Sequence, residues 1–365
     1  MRRTPVLALV AALAAAATVL PLLTVAGAAA PGSDRRLGPV PAPVGLSWQR
    51  VDVATGEQFR GLDAVDAQTA WVGGSAGSVF RTTDGGRSWD DVSPAGAEGL
   101  LFRDVEAHSA SRASVLAIGV GDDSRIYTTT DGGQSWRRAF TNHDPDAFYD
   151  CMDFWRTGRH GIAMSDPVNG KFRIITTHDA GQSWARVPSR GMPPAVDGEF
   201  GFAASGTCLV AEGRRRAWLA SGGAAARIFS TRDQGRHWQV TRSTIPATPA
   251  GGVFSLAFDG PRRGLAVGGD FERPRYGVDA SARTVDGRRW SAGGDLSGYR
   301  SGVAWVARTL RSVAVAVGPT GSDVTYDGGR TWARFSRANF DAVVCADDGS
   351  CWASGPEGAV AKLLR

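Results

Sequence analysis

The 365-residue sequence has few of the residues that build metal and redox sites. It contains four cysteines and five histidines. The cysteines show no Cys-x-x-Cys spacing and the histidines are scattered, which argues against a zinc site or a thiol redox centre. No Gly-x-Gly-x-x-Gly follows a predicted strand, so the dinucleotide-binding fingerprint is absent as well. We therefore expect neither a cofactor nor a metal.

Lysine is almost absent, with only Lys171 and Lys362, so nearly all of the positive charge is arginine. The formal net charge of +5 falls to about +3 if Arg2 and Arg3 leave with an N-terminal signal, which is modest for a chain of this length. Many arginines lie on segments predicted to be exposed outer strands, where charge keeps an edge soluble. This pattern favours a solvated surface over nucleic-acid binding.

Long hydrophobic runs are missing except at the N-terminus. Two arginines precede an uncharged apolar run over residues 6–30, which ends in small residues as an export signal does. The run is also long enough to stay as a membrane anchor, but Pro21 and the small-residue end favour cleavage. We predict a signal peptide over residues 1–28, a proline-rich linker over 29–45, no further membrane span, and a secreted or cell-envelope protein. An N-terminal anchor is the alternative.

What the chain does contain is a repeat. A pattern of the form Ser/Thr-x-Asp-x-Gly-x-x-Trp, known as an Asp box, occurs six times, once in shortened form. A regular period of a few tens of residues indicates small supersecondary units that cannot bury their apolar faces alone. The aspartate and tryptophan of the six copies are Asp84 and Trp89, Asp131 and Trp136, Asp179 and Trp184, Asp233 and Trp238, Asp286 and Trp290, and Asp327 and Trp332.

Each copy has the chemistry of a hairpin turn. In residues 82–89, the Asp84 carboxylate can accept hydrogen bonds from turn amides, and the glycines supply the positive φ that the reversal needs. One extended run precedes each turn, a short one follows it, and two more lie upstream. Four short strands per repeat predict a β-propeller blade.

The two ends of the chain predict the number of blades. After the sixth copy, residues 342–345, 351–355 and 359–363 have the pattern of three strands of a seventh repeat, and the chain then ends. Residues 46–51 resemble the strand that follows each turn, so they supply the missing one. We predict that residues 46–365 form one all-β, seven-bladed propeller. Its N-terminal strand joins the C-terminal blade and closes the ring, which leaves no unpaired edge.

Four cysteines in an exported protein suggest two disulfides. Cys345 and Cys351 flank a short predicted hairpin that would place them at bridging distance. Cys151 and Cys208 occupy similar positions in the first strands of consecutive repeats. Either a bridge between blades or two buried thiols would fit that placement.

The repeats resemble the photosystem II stability/assembly factor family of Asp-box propellers, which share BNR, or sialidase-type, repeats. The likeness is closer to relatives in non-photosynthetic bacteria and covers the whole propeller. The resemblance implies a seven-bladed fold and a non-catalytic scaffold that binds proteins or assists assembly. Some relatives are labelled oxidoreductases, for which the sequence offers no motif. The segments that carry the likeness are residues 59–65, 102–105, 148–150, 161–167, 202–207, 254–258, 266–270 and 299–304.

A glycoside hydrolase is the rival class, because Asp boxes also occur in sialidases. A sialidase needs an arginine cluster for the substrate carboxylate, a Tyr/Glu nucleophile pair and an Asp acid/base. The early Arg-Ile-Pro signature is absent, but Arg60, Arg103 and Arg300 lie near the starts of first strands, and Tyr299 adjoins Arg300. A sialidase-like enzyme or a glycan-binding propeller is therefore the alternative function.

Any ligand site is expected on the propeller face opposite the Asp boxes. Solvated polar residues around the channel are one interpretation of that face, and a site for an anionic peptide or glycan is the other. We expect the three arginines to converge at the channel mouth with no catalytic nucleophile beside them, in a monomeric protein. The candidate binding residues are Arg60, Arg103, Asp150, Ser165, Asp166, Asp270, Tyr299, Arg300 and Asp323.

Overall fold

The computed structural model describes residues 45–306 and 312–365, so the predicted signal peptide and almost all of the linker lie outside the described residues. The described chain forms seven antiparallel sheets, one for each blade of a propeller. Neighbouring first strands contact each other around a closed cycle, so these strands line the central channel. The predicted seven-bladed, all-β fold is confirmed.

Each blade has four strands that follow one another in sequence from the channel outward, except that the fourth strand of blade 7 comes from the N-terminus. The strands are, in blade 1, Gly61–Ala64, Ala70–Gly73, Val79–Thr82 and Asp90–Asp91; in blade 2, Leu101–Ala107, Ala113–Ile118, Arg125–Thr129 and Arg137–Thr141; in blade 3, Tyr149–Phe154, Gly161–Val168, Lys171–Thr177 and Ala185–Arg186; in blade 4, Leu209–Glu212, Arg216–Ala220, Arg227–Thr231 and Trp238–Arg242; in blade 5, Gly251–Asp259, Arg263–Asp270, Ser281–Thr284 and Ser291–Ala292; in blade 6, Gly302–Trp305, Ala314–Gly318, Gly321–Thr325 and Ala333–Ser336; and in blade 7, Ala342–Cys345, Cys351–Ser354, Val360–Leu364 and Ser47–Arg50.

Two short strands, Glu199–Phe200 and Gly222–Gly223, extend the sheet of blade 5 on its channel side. The described helical turns are Gly121–Asp123 and Ser189–Gly191, both of the 3-10 type.

The N-terminal strand closes the ring. Ser47 lies opposite Leu364 and Arg50 lies opposite Ala361, so the first described strand pairs antiparallel with the last. This pairing covers an edge of blade 7 that would otherwise expose unpaired backbone groups. The closure predicted from the two chain ends is confirmed.

The repeated motif forms a hydrogen-bonded reversal that we call the aspartate turn. In blade 1, the Thr82 hydroxyl donates to Asp84 Oδ1 at 2.9 Å and accepts from the Gly86 amide at 2.9 Å, while the Ser88 amide donates to Asp84 Oδ1 at 3.0 Å. These bonds to the ionised form hold the pKa of Asp84 well below its usual range. The threonine-to-aspartate bond recurs at Asp131, Asp179, Asp233, Asp286 and Asp327.

Tryptophans join neighbouring blades. The indole N–H of Trp136 in blade 2 donates to the Val92 carbonyl next to blade 1 at 2.6 Å, and its ring meets Trp71 edge-on at 6.3 Å. Trp89 repeats this arrangement on blade 7, where it donates to the Val51 carbonyl at 2.9 Å. Four more tryptophans donate to a carbonyl of the next blade, namely Trp71, Trp155, Trp218 and Trp352. The sequence analysis did not assign these four any role.

Both predicted disulfides are present. Cys345 and Cys351 pair across the first hairpin of blade 7, with 4.0 Å between their Cα atoms. Cys151 in the first strand of blade 3 bridges to Cys208 at the start of blade 4, with a Cα separation of 6.0 Å. The second bridge rules out two buried thiols, and it links blades 3 and 4 covalently.

Replacing Trp136 with alanine should lower the free energy of unfolding by about 3 kcal/mol, because it removes packing between two blades together with the bond to Val92. Urea denaturation measures this. Trp290→Ala is the matched control, since Trp290 occupies the equivalent turn position but its indole N–H has no partner. Its cost should be smaller by about 1 kcal/mol; equal costs would contradict a contribution from the hydrogen bond between blades.

Deleting residues 46–52 should uncover the Val360–Leu364 edge and promote association of the protein, because unpaired strand edges recruit other strands. Light scattering and size-exclusion chromatography report the result. Deletion of residues 31–43, within the predicted linker, serves as the control and should leave the elution volume of the main species unchanged. An aggregation-free protein after the first deletion would refute the importance of the closure.

Candidate functional site

The two faces of the propeller differ in the chain segments that form them. In blades 1, 2, 3, 4 and 6 the aspartate turn is bonded to the loop between the first and second strands of its own blade; for example, the Gly85 amide donates to the Gln68 carbonyl at 2.8 Å. We call this side the turn face. The segments between blades and the loops between second and third strands form the opposite side, the mouth face. The sequence-predicted binding residues all lie at or near strand ends on the mouth face.

Residues 199–207, which we call the plug segment, cross the mouth of the channel. The Ala203 carbonyl accepts from Arg103 Nη1 of blade 2 at 3.0 Å, and the Gly201 amide donates to Asp166 Oδ1 of blade 3 at 2.7 Å. On the other side, Ser205 donates to the Ser301 carbonyl next to blade 6 at 2.7 Å. One segment thus contacts blades on opposite sides of the ring. The sequence analysis missed this role, because each contact joins residues that lie far apart along the chain.

Three inner strands have a β-bulge at the residue that meets the plug segment. The pairing register shifts around Arg103 in blade 2, Asp150 in blade 3 and Phe254 in blade 5. A bulge leaves one residue out of the ladder and redirects its side chain. Here Arg103 bonds the plug backbone and Phe254 stacks on Phe202 with ring centres 3.7 Å apart. A Cβ on Gly201 would lie 2.7 Å from the terminal methyl of Met164 and 3.1 Å from the Asp150 carboxyl, so any larger residue there would have to displace these side chains.

Arg60 and Arg103 form a pair of like charges beside the plug segment. Burial, and secondarily repulsion from Arg60, lower the pKa of Arg103 to about 10. Asp341 partly balances the pair: its carboxylate lies 3.7 Å from Arg60 Nη2 and accepts a 2.8 Å bond from the Gln58 side chain. The Arg60 side chain keeps 27% of its surface exposed, and its Nε has no partner. The unpartnered Nε is buried, so the pair is only partly neutralised while part of the Arg60 side chain stays in contact with solvent.

Arg300 does not join this pair, contrary to the sequence-based expectation. Its side chain is fully buried, and its Nε donates to Asp323 Oδ2 at 2.7 Å. The remaining donors bond Thr320, Ser297 and the Tyr299 carbonyl. Asp323 is equally buried and acts as the counter-ion. Both residues stabilise blade 6 at its mouth-face end and are unavailable to a ligand.

Tyr299 lies below the plug segment in an aromatic cluster. It is 5% exposed, and its ring meets Phe254 edge-on with centres 4.7 Å apart. Burial raises the pKa of its hydroxyl well above the usual value. A tyrosine nucleophile needs the opposite shift, so this environment does not suit the role that the hydrolase alternative requires.

Asp150 and Asp166 approach each other on the other side of the mouth. Burial raises both pKa values, that of Asp166 to about 7, and repulsion from Asp166 adds to the rise at Asp150. One oxygen of Asp150 is buried without a partner. Ser165 accepts from the Phe148 amide at 3.2 Å and donates to the Asp166 carbonyl, so it supports this corner. Asp166 also lines a pocket of about 440 Å³ together with Phe148 and Phe200.

Asp270 is the last residue of the second strand of blade 5, where the loop to the third strand begins. Its carboxylate accepts from the Thr248 hydroxyl and from the Glu272 amide, each at 2.9 Å. These bonds stabilise the loop, so Asp270 has a structural part in the mouth face rather than a contact with the arginine pair.

A set of inner-strand carboxylates, which the sequence analysis did not predict, lies deeper in the channel. Asp63, Asp104 and Asp153 each accept a bond of 2.6 to 2.7 Å from a backbone amide of the following blade. Burial raises the pKa of Asp63 to about 6 and that of Asp153 to about 7. The available signal was an acidic residue within each inner strand. In the described part of the chain, no group of three or more His, Cys, Asp or Glu residues is arranged to hold a metal.

Comparison with known proteins identifies the fold. No family model and no curated protein matches the chain. A structure of YCF48 bound to D1 peptide is similar, with a TM-score of 0.60 and 14% identity over 87% of this chain and 95% of that one. YCF48 from Cyanidioschyzon merolae gives 0.57 and 15% over 86% and 98%. The WD40 repeats of RRP9 give 0.59 and 11% over 89% and 99%. At these identities the likeness shows the propeller fold alone.

Stability should decrease as pH rises from 5 to 8, to the extent that the channel carboxylates control it. Asp153 binds a proton in the folded state up to about pH 7 but loses it near pH 4 when unfolded. The folded state therefore holds more protons in that window, and deprotonation disfavours it. Asp153→Asn should reduce this pH dependence, as measured by urea denaturation across the range. The exposed Asp146→Asn is the control, and an unchanged slope in Asp153→Asn would contradict the assignment.

Proposed function

We propose that this protein is an exported, non-catalytic scaffold that binds an acidic peptide segment of a partner protein at the channel mouth and assists that partner's assembly or stability. The observation that carries the proposal is the Arg60 and Arg103 pair, two like charges beside the plug segment of which Arg60 is partly exposed and only loosely paired. The carboxylate of Asp341 balances part of the positive charge of this pair.

The like charge of the two arginines favours an anionic ligand. A carboxylate placed between two guanidinium groups relieves their repulsion and accepts bonds in their planar fork geometry. Arg103 is already held by the Ala203 carbonyl, so little side-chain freedom is lost on binding. A flexible surface arginine would lack this advantage.

Two features support export. Both disulfides fit an oxidising compartment, and the N-terminal sequence has the pattern of a signal peptide. None of the helices in the described ranges is long and apolar enough to span a bilayer. Secretion, retention in the envelope and an N-terminal anchor each agree with these features, and the scaffold proposal holds for all three.

The structure of YCF48 with D1 peptide supports the proposal by analogy. A propeller of this general shape can present a surface to a peptide. The analogy concerns the fold, since identity is 14%, and it assigns no residue of this chain.

The glycoside hydrolase alternative gains no support from the mouth. Tyr299 is buried with a raised pKa, and Arg300 is consumed by Asp323. A glycan ligand that is bound but not cleaved would use the same arginine pair, and the binding experiment below separates it from a peptide.

Arg60→Gln should weaken binding of acidic peptides by about tenfold or more, since it removes a charged hydrogen-bond partner. Fluorescence anisotropy with a panel of labelled acidic peptides and with sialylated oligosaccharides measures this. Arg50→Gln is the matched control, because Arg50 is exposed and paired with Asp52 on the outer strand of blade 7. The melting temperature should be nearly unchanged in both variants.

Two results would contradict the scaffold. One is peptide affinity that is equal in the wild type and in Arg60→Gln. The other is turnover of sialosides or β-glucan fragments by purified protein that disappears in Tyr299→Phe, which would establish the hydrolase instead.

A further inference from the structure

The turn face of blades 4, 5 and 6 is strongly basic. In the loops between first and second strands, Arg214, Arg215 and Arg262 are exposed. In the adjoining aspartate turns, exposed arginines follow each aspartate, namely Arg236 in blade 4, Arg288 and Arg289 in blade 5, and Arg330 in blade 6. We call this surface the basic turn face.

These arginines form one continuous surface. The Gln234 amide of the blade 4 turn donates to the Arg215 carbonyl at 3.0 Å, which joins turn and loop. Arg216 Nη1 reaches the Pro261 carbonyl of blade 5 at 3.3 Å. Slight burial, together with repulsion from Arg288 and Arg216, lowers the pKa of Arg232. Arginines of blades 4 and 5 therefore lie close enough to repel one another.

Carboxylates on this surface are fewer and mostly engaged. Asp233, Asp286 and Asp327 accept hydrogen bonds within their own turns. Asp259 lies 3.4 Å from a neighbouring arginine, and Glu212 ends the first strand of blade 4. The excess of arginine leaves a positive field over three blades.

Two apolar side chains project from the same surface. Val285 is 73% exposed and Tyr326 is 45% exposed, at the position between threonine and aspartate in the turns of blades 5 and 6. This position points outward, because the flanking threonine and aspartate turn inward to bond each other. In the other four copies it is polar, occupied by Thr83, Thr130, His178 and Arg232. Among the described turns, only those of blades 5 and 6, both of them basic, therefore present apolar tips.

We propose that the basic turn face docks onto a bilayer containing anionic phospholipid, with its arginines at the headgroups and Val285 and Tyr326 inserted at the headgroup boundary. Positive charge surrounding exposed apolar side chains is the combination that interfacial binding uses. A soluble polyanion would engage the arginines but would give the two apolar tips no contact. Tyrosine in particular suits an interface that is apolar on one side and wet on the other.

The docking would orient the molecule. The mouth face lies opposite the turn face, so the Arg60 and Arg103 pair would point away from the bilayer. Docking depends only on the turn face, and it can hold or fail independently of peptide binding at the mouth.

The first test is cosedimentation of the purified protein with phosphatidylcholine vesicles, with and without phosphatidylglycerol. We expect binding only to the anionic vesicles, weakening with added salt. Arg288→Gln combined with Arg289→Gln should weaken it by about 25-fold, since each arginine near an anionic surface contributes roughly fivefold. The control is Arg137→Gln with Arg138→Gln, another exposed consecutive pair, on the outer strand of blade 2. All variants keep the same N-terminus, so any contribution from it cancels.

The second test separates a bilayer from a soluble polyanion. Val285→Ser with Tyr326→Ser should weaken binding to the anionic vesicles severalfold and leave binding to polyphosphate unchanged. The proposal is overturned if neutral vesicles bind equally well, if the Arg137 and Arg138 control loses as much affinity, or if the two apolar tips can be removed without effect on vesicle binding. Circular dichroism melting curves should coincide for all variants, because the changed side chains are exposed.

Discussion

The rest of the structure depends on polar ties, the hydrogen bonds that polar groups make between the inner strands of adjacent blades. Blades carry their own hydrogen-bond ladders, but nothing in a ladder orients one blade against the next. In blades 1 to 3 a carboxylate of one inner strand accepts the amide of the following blade. Elsewhere hydroxyl groups make this bond: Ser255 accepts from the Val303 amide, and Ser301 donates to the Asp341 carbonyl, between the starts of the inner strands of blades 6 and 7. These bonds set the spacing of the inner strands, and the hydrophobic layers between blades pack at that spacing.

The chemistry of the tie also explains the asymmetry of the channel. Hydroxyl ties are neutral, whereas Asp63, Asp104 and Asp153 bring three carboxylates into one sector of the ring. Burial and mutual repulsion raise their pKa values, so this sector favours bound protons. The plug segment approaches the same sector closely: a Cβ on Gly206 would lie 2.4 Å from Asp104. The carboxylates that join these blades therefore also limit what can occupy the upper channel.

The sequence predicted the features that local chemistry determines. The aspartate turns follow from residues within one short segment, and the blade count and ring closure follow from their period and from the two chain ends. The Cys345–Cys351 bridge also followed from position in the repeat, whereas position alone left Cys151 and Cys208 open between a bridge and two buried thiols. Bulges at Arg103, Asp150 and Phe254 could not be predicted, because an extra residue is visible only against its partner strand. The plug segment is similarly defined by contacts with blades 2, 3, 5 and 6 that join residues far apart along the chain.

Arg300 shows why a residue's place in the repeat does not determine its function. Its position before an inner strand matches that of Arg60, and on that basis both were expected at the mouth. Asp323 lies 23 residues later on the third strand of the same blade and binds Arg300 in the interior; Arg60 has only the longer contact to Asp341. A guanidinium group carries five donors in a plane, so it can satisfy a buried counter-ion and several neighbours at once. In a chain that uses arginine for nearly all its positive charge, the carboxylate that each arginine meets decides whether it stabilises a blade or remains available to a ligand.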